Sequence, residues 1–316
     1  MATLVATFFL IGVGSFVRVT GAGLGCPDWP KCWGCWVPPS EVSAIPQQQD
    51  RDGNPYYLDK KGRKQYLSEL NNTKMWTEYV NRLVGVTIGI LVLATFFKSF
   101  RYRKSFPAVF WGSFAAFVLV VVNGWLGKNV VESELNPDII SLHLGLAIAQ
   151  VMALMWVLHI TQENPHGKDV APVIRNLAMG LFLVTLVQML LGTQVRGIID
   201  IHLLEGTLPR DHWIASMNQQ DYIHRSFSWI VGILSILLLR KTRSPETPAS
   251  LRSVCNWIMV LVVAEVLIGV SMAYNGVPLP SQILHLLAST GLVSLQFLLI
   301  LHCFPQGSRA PTLSPD

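Results

Sequence analysis

The stretch DYIHRSFSW, residues 221–229, leads an acid, a tyrosine, a histidine and an arginine straight into an apolar run. EYVNRLVGV, residues 78–86, does nearly the same 143 positions earlier, with Asn81 standing where His224 stands. A polar cluster repeated at the mouth of two hydrophobic segments is a sign of internal duplication. Other pairs keep the spacing. Leu142-His143-Leu144 matches Leu284-His285-Leu286, and Leu126-Gly127 matches Ile268-Gly269, each 142 positions apart. Val17-Arg18 matches Val195-Arg196 at a larger offset, because the intervening outer loops differ in length. Chance does not place several matches at one offset in topologically equivalent positions. The expected fold is therefore two duplicated four-helix bundles, an N-terminal half at 1–165 and a C-terminal half at 166–316.

Composition says where such bundles sit. Of 316 residues, 51% are apolar and 14% charged, with a mean hydropathy of +0.42; soluble domains carry about 25% charged residues. The net charge of +5 comes from short basic runs beside apolar segments, the pattern of membrane orientation and not of nucleic-acid binding. The first apolar run, Ala2 to Val19, lacks a basic leader and a small-residue cleavage site, so it reads as a span. Spans are expected at about 2–19, 79–98, 106–127, 138–160, 174–194, 222–240, 254–273 and 281–302. This makes an all-α membrane protein with eight transmembrane helices. RYRK (residues 101–104), the Lys168/Arg175 connection and RKTR (residues 240–243) are basic and face the cytoplasm, which puts both termini there. The long segment 20–78 and the stretch 195–221 lie outside; both are too long for turns and should cover something at the outer surface.

Ionisable groups within spans are costly and mark function by default. Glu78 and Arg82 are four residues apart and share a helix face with Asn81; Asp221, His224 and Arg225 repeat the arrangement. His143, His224 and His285 all fall within about two turns of the outer ends of their helices. In the second half, two histidines at one depth on alternate helices could ligate one iron from opposite faces, as a bis-histidine haem requires. The bland alternative is two interfacial histidines bonded to neighbours; the flanking arginine and the duplicated context favour haem. Arg18, Arg82, Arg196 and Arg225 gather towards the outer face, where guanidinium could grip haem propionates or simply snorkel to the interface. His159 and His302 lie near inner helix ends with no histidine partners on the second and sixth spans, and read as interfacial. That argues against a stacked two-haem cytochrome b.

Three cysteines, Cys26, Cys32 and Cys35, fall in CPDWPKCWGC, residues 26–35, in the outer segment. An oxidising compartment makes a disulfide the expectation, Cys26 with Cys32 and with Cys35 as the alternative partner. CWGC has CxxC spacing but lacks the further ligands zinc needs. Cys255 and Cys303 read as packing residues, and His202 and His212 as solvated loop residues.

VRVTGAGLGCPDWPKC, residues 17–32, resembles the arginine, threonine–glycine turn and outer-loop cysteine pair of the haem A synthase family. Glu78 with Arg82, His143, His224-Arg225 and His285 match that family's glutamate and histidine positions on the even-numbered spans, and the resemblance extends over nearly the whole chain. It implies a haem b cofactor in the C-terminal half, on His224 and His285 with Arg196 and Arg225 nearby. It implies substrate haem O in the N-terminal half, near His143, Asn81, Arg82 and Arg18, with Glu78 catalytic. The implied reaction oxidises one porphyrin methyl group to a formyl through an alcohol. The implied partners are the haem O-producing enzyme, an electron donor the sequence does not identify, and lipid; nucleic acid is not among them, and a homo-oligomer is compatible. The implied location is the bacterial plasma membrane. One position departs, because the family commonly has a histidine at Asn81. An open coordination position would suit oxygen or peroxide chemistry; the other reading is a half that has lost its catalytic role. Retention of Glu78, Arg82 and His143 favours activity. Two rivals remain at this stage. A bis-histidine b-type electron-transfer cytochrome would need no carboxylate at Glu78. A transporter fits poorly, since the repeats share one orientation and no span is broken at mid-membrane.

Overall fold

The structure, a computed structural model, describes residues 1–162, 170–206, 208–217 and 219–304. The expected boundary between halves at 165/166, and Lys168, lie outside the described residues. Nine α-helices are described: α1 (Ala2–Val19), α2 (Asn72–Ser99), α3 (Pro107–Glu132), α4 (Pro137–Ile160), α5 (Pro172–Glu205), α6 (Trp213–Ser216), α7 (Gln219–Thr242), α8 (Ala249–Tyr274) and α9 (Leu279–Cys303). All but the short α6 are long and apolar enough to cross a membrane. Large apolar side chains such as Val86, Trp111, Leu190, Trp229 and Leu267 stand exposed on the outer helix faces. Water would make these a large unburied patch, whereas lipid solvates them. The chain is a multi-pass all-α membrane protein.

The helix ends follow from local chemistry. Proline occupies the first turn of α3, α4, α5 and α9, where its missing N–H costs nothing. The side chain of Asn136 caps α4 by accepting from the amides of Asp138 and Ile139, at 3.0 and 3.3 Å. Gly206, at φ +62°, closes α5 in the left-handed conformation.

Packing forms two rings of four. α1 contacts α2 and α4, and α3 contacts α2 and α4; α5, α7, α8 and α9 close a second ring in the same order. The rings meet where α9 lies against α1 and α4, and α4 against α5. The second ring's apolar core, including Leu181, Leu238, Leu251, Ile258 and Leu299, comes from the early turns of α5 and α8 and the later turns of α7 and α9. That is the end of the basic loops, the inner end in the orientation expected from them. The first ring's core of Ile88, Val92, Ala116 and Leu154 lies similarly. The polar residues discussed below occupy the outer ends.

Two boundaries and one added element depart most from expectation. α2 begins at Asn72, not at 79, with Asn71 accepting from the amide of Lys74 at 3.0 Å. α5 runs on to Glu205 instead of stopping near 194, so much of the stretch read as an outer loop is helix. The charges that ended the sequence-based span, Arg196 and Asp200, pair with each other at i and i+4. The outer segment also carries an antiparallel sheet, β1 (Gln47–Gln49), β2 (Pro55–Leu58) and β3 (Lys64–Tyr66). Its two turns are twins, DRDGN and DKKGR, nine positions apart. In each, an aspartate (Asp50 or Asp59) accepts from backbone amides across the turn, and a glycine (Gly53 or Gly62) supplies the positive φ. The sheet grips the α3–α4 turn: Lys61 Nζ donates to the Glu132 carbonyl at 2.6 Å, and Arg63 pairs with Glu134.

Candidate functional site

At the outer end of the second ring, α7 and α9 bring His224 and His285 together, with ring centroids 6.4 Å apart and planes nearly perpendicular at 79°. Imidazoles that each place a nitrogen about 2 Å from one metal ion have centroids roughly 6 Å apart. The spacing fits an iron between them. His224 Nδ1 is buried without a hydrogen-bond partner. Gly192 on α5 makes room for the ring, since a Cβ there would lie 3.2 Å from His224 Cε1. Gln188, one turn earlier, donates to the His224 carbonyl at 3.0 Å. From α8, Glu265 brings Oε2 to 2.8 Å from His285 Nδ1, at ion-pair distance but off the line of a hydrogen bond.

The first ring has the same frame with other side chains. His143 on α4 packs beside Gly127, where a Cβ would lie 3.5 Å from its Cε1. Asn123 on α3 reaches the same histidine: turned so that Oδ1 accepts from the Ala147 amide at 3.2 Å, its amide nitrogen lies 3.0 Å from both the carbonyl oxygen and Nδ1 of His143. Asn81 on α2 has its Oδ1 buried without a partner.

Glu78, one turn outside Asn81, is only 3% exposed. Its Oε2 accepts from the Cys26 amide at 2.8 Å, and its Oε1 accepts from Arg82 Nε at 3.1 Å. Arg82 then donates to the carbonyls of Asp28, Lys31 and Cys26, at 2.7, 3.0 and 3.2 Å. This buried pair thus fastens the outer loop to α2. Cys26 and Cys32 form a disulfide and Cys35 is free. The CxxC spacing has a backbone cause. Cys32 and Cys35 exchange two backbone hydrogen bonds across Trp33-Gly34, both at positive φ, as in a two-residue hairpin turn. Gly25 lets the loop touch α2, because a Cβ there would come within 2.4 Å of the Lys74 carbonyl oxygen.

The other arginines also have partners. Arg18 and Arg196 donate to opposite oxygens of Asp200, each from Nε at 2.9 Å, and Arg196 also reaches Gln282. Arg225 pairs with Asp221 and keeps 47% of its side chain exposed. His202, read as solvated, instead stacks on Trp213 and lies 2.7 Å from Ser216 Oγ. His159 and His302 meet at the inner end with centroids 5.2 Å apart.

Sequence reasoning passed over Glu265, Asn123, Gln188 and Asp200. A signal for the first two was present: Asn123 and Glu265 are 142 positions apart, the offset that relates His143 to His285.

A family model described as COX15-CtaA, cytochrome oxidase assembly protein, matches residues 1–297. Proteins named heme A synthase are similar over most of their length. The one from Nitrosospira multiformis is 25% identical over 304 residues, covering 88% of this chain and 85% of the relative. The one from Sphingopyxis alaskensis is 23% identical over 317 residues, covering 93% and 87%. The one from Erythrobacter litoralis is 26% identical over 300 residues, covering 86% and 88%.

Proposed function

Because this chain belongs to the COX15-CtaA family of cytochrome oxidase assembly proteins, we propose that it is a haem A synthase, an oxidoreductase that converts haem O to haem A. The site reading rests on one observation, the half-buried imidazole pair of His224 and His285 at iron-bridging distance. These two residues hold haem b in the C-terminal half. Gly192 and Gln188 set the plane and height of the His224 ring, and Arg225, with its guanidinium half exposed, is placed to meet a propionate. When bound, the haem supplies one-electron redox chemistry.

Substrate haem O lies in the N-terminal half, beside His143 and Asn81. Its methyl group takes one oxygen atom from an external oxidant at the peroxide level to give the alcohol and water, and the alcohol gives two electrons and two protons to a second equivalent to leave the formyl and water. An amide such as Asn81 is a poor iron ligand, so His143 would be the residue that holds the substrate haem there. Glu78 is the acid–base group, held at the site's outer edge by the Cys26 amide and Arg82. The disulfide loop, fastened by Arg82, keeps water from the substrate. The basic runs RYRK and RKTR support a reading in which the inner ends face the cytoplasm across a bacterial plasma membrane, with Glu78 and the imidazole pair towards the outer face. Haem O then arrives from the enzyme that makes it, and a separate redox partner exchanges electrons with haem b.

The test is to express the chain with a haem O supply in cells that otherwise make no haem A, and to separate the extracted haems chromatographically. Haem A is the expected product. Recovery of haem b and unconverted haem O alone, from folded protein, overturns the activity.

A further inference from the structure

Glu265 on α8 and Asn123 on α3 each lie nine residues before the outer end of their helix, Tyr274 and Glu132. They are repeat partners at an offset of 142. Each is the polar group brought by the neighbouring helix to Nδ1 of a histidine, and there the likeness ends. Glu265 offers His285 Nδ1 a carboxylate oxygen, 2.8 Å away. Asn123, oriented by its bonds to the His143 carbonyl and the Ala147 amide, offers His143 Nδ1 an N–H, 3.0 Å away. An acceptor at one histidine faces a donor at the other.

A neutral imidazole carries one proton, and the hydrogen bond at one nitrogen decides which nitrogen holds it. Glu265 Oε2 stands 2.8 Å from His285 Nδ1, off the line of a hydrogen bond but close enough for its charge to draw the ring proton to Nδ1, which leaves the lone pair at Nε2. The nearby carboxylate also makes the ring a stronger donor to a metal, as outer carboxylates do for ligating histidines. His143 accepts at Nδ1, so its proton sits on Nε2, the nitrogen a haem iron would need. It can bind only after that proton moves and the Asn123 contact is given up. Resting on the two-haem reading above, we propose that Glu265 and Asn123 are positioning residues that decide which half keeps its haem. The carboxylate makes His285 a permanent ligand, and the amide makes His143 an exchangeable one. The bland reading is that both residues merely satisfy polar groups inside the bundle. On that reading, Glu265→Gln, which keeps an acceptor and the shape, changes nothing at the haem.

The full chain is purified in detergent with its haem b, and two quantities are read that do not depend on turnover. One is the rate at which an apoglobin in excess strips the haem; the other is the midpoint potential of the low-spin signal. Glu265→Gln should lose haem about 10- to 100-fold faster. Its potential should rise, by about 59 mV for each tenfold loss of preference for ferric iron in a one-electron couple. Glu265→Asp, which keeps the charge, should stay nearer wild type in both. Asn123→Glu should make the protein purify with one further haem per chain after exposure to haem O. The proposal is overturned if Glu265→Gln matches wild type in both rate and potential, or if Asn123→Glu retains no extra haem. Where Glu265→Gln does not fold, the other two variants decide. A low-spin signal that survives His285→Ala would instead remove the haem assignment itself.

Discussion

His224 packs so closely on Gly192 that a Cβ would stand 3.2 Å from its ring, whereas Gly14, 178 positions earlier, would meet nothing within 4 Å. The helices correspond; the contents differ. Where the C-terminal half has His224, a carboxylate at Glu265 and a half-exposed Asp221–Arg225 pair, the N-terminal half has Asn81, an amide at Asn123 and a buried Glu78–Arg82 pair under a disulfide loop. A duplicated frame can thus carry two roles when only the side chains at one depth diverge. One half is filled by its own side chains; the other has space, a lid and an acid.

The largest expected effect would break this contrast outright. His224→Ala or His285→Ala should abolish the low-spin haem b spectrum of the purified protein, and an unchanged bis-histidine signal in both would put the resident haem elsewhere. Glu78→Gln comes next. Its amide oxygen can still accept from the Cys26 amide, so the fold and haem b should remain while haem A formation falls at least about 100-fold. A normal haem A yield would move the chemistry to another group of the N-terminal half. Asn81→His sharpens the comparison by making the halves alike. It should put an imidazole beside Gly14 and add a second low-spin signal once substrate haem is supplied; a spectrum without one would mean that position 81 and His143 do not face one iron.

The smallest effect concerns the lid. Burial pushes the Asp59 carboxyl up, but the amides of Arg63 and Lys61 and the Arg63 guanidinium hold it, on balance, below its ordinary value of 3.8. A carboxyl depressed in the folded state stabilises above its unfolded pKa and loses that contribution as pH falls through the folded value. Proteolysis within 47–66 should therefore accelerate only in acid below about pH 4, and Asp59→Asn should flatten the profile. An Asp59→Asn variant with the wild-type acid profile would deny Asp59 this role.

Much of this was legible in the chain because the bilayer imposes long apolar runs and the duplication prints His143 and His285 at one offset. What stayed hidden had local causes. Arg196 and Asp200 looked like the end of a span because charges are costly in lipid, yet they neutralise each other and α5 continues. The sheet at 47–66 sits in polar sequence with little hydrophobic alternation, and only its twin Asp-x-x-Gly turns announce it. Glu265 is a single acid in an apolar run; its meaning appears only beside His285, on another helix. The Glu78–Arg82 spacing predicted a shared helix face but not that loop carbonyls would complete the arginine's shell.

Asp200 accepts from Arg18 of one half and Arg196 of the other, and the place in α1's half that corresponds to it is Ala22. One acid therefore serves two duplicated bases. During synthesis the first four spans emerge before α5, so the carboxylate that meets Arg18 in the folded chain is made after it. The outer seam between the halves is therefore complete only when both are in place. A chain cut between them and inserted as separate pieces should regain its outer seam only when both pieces are present together.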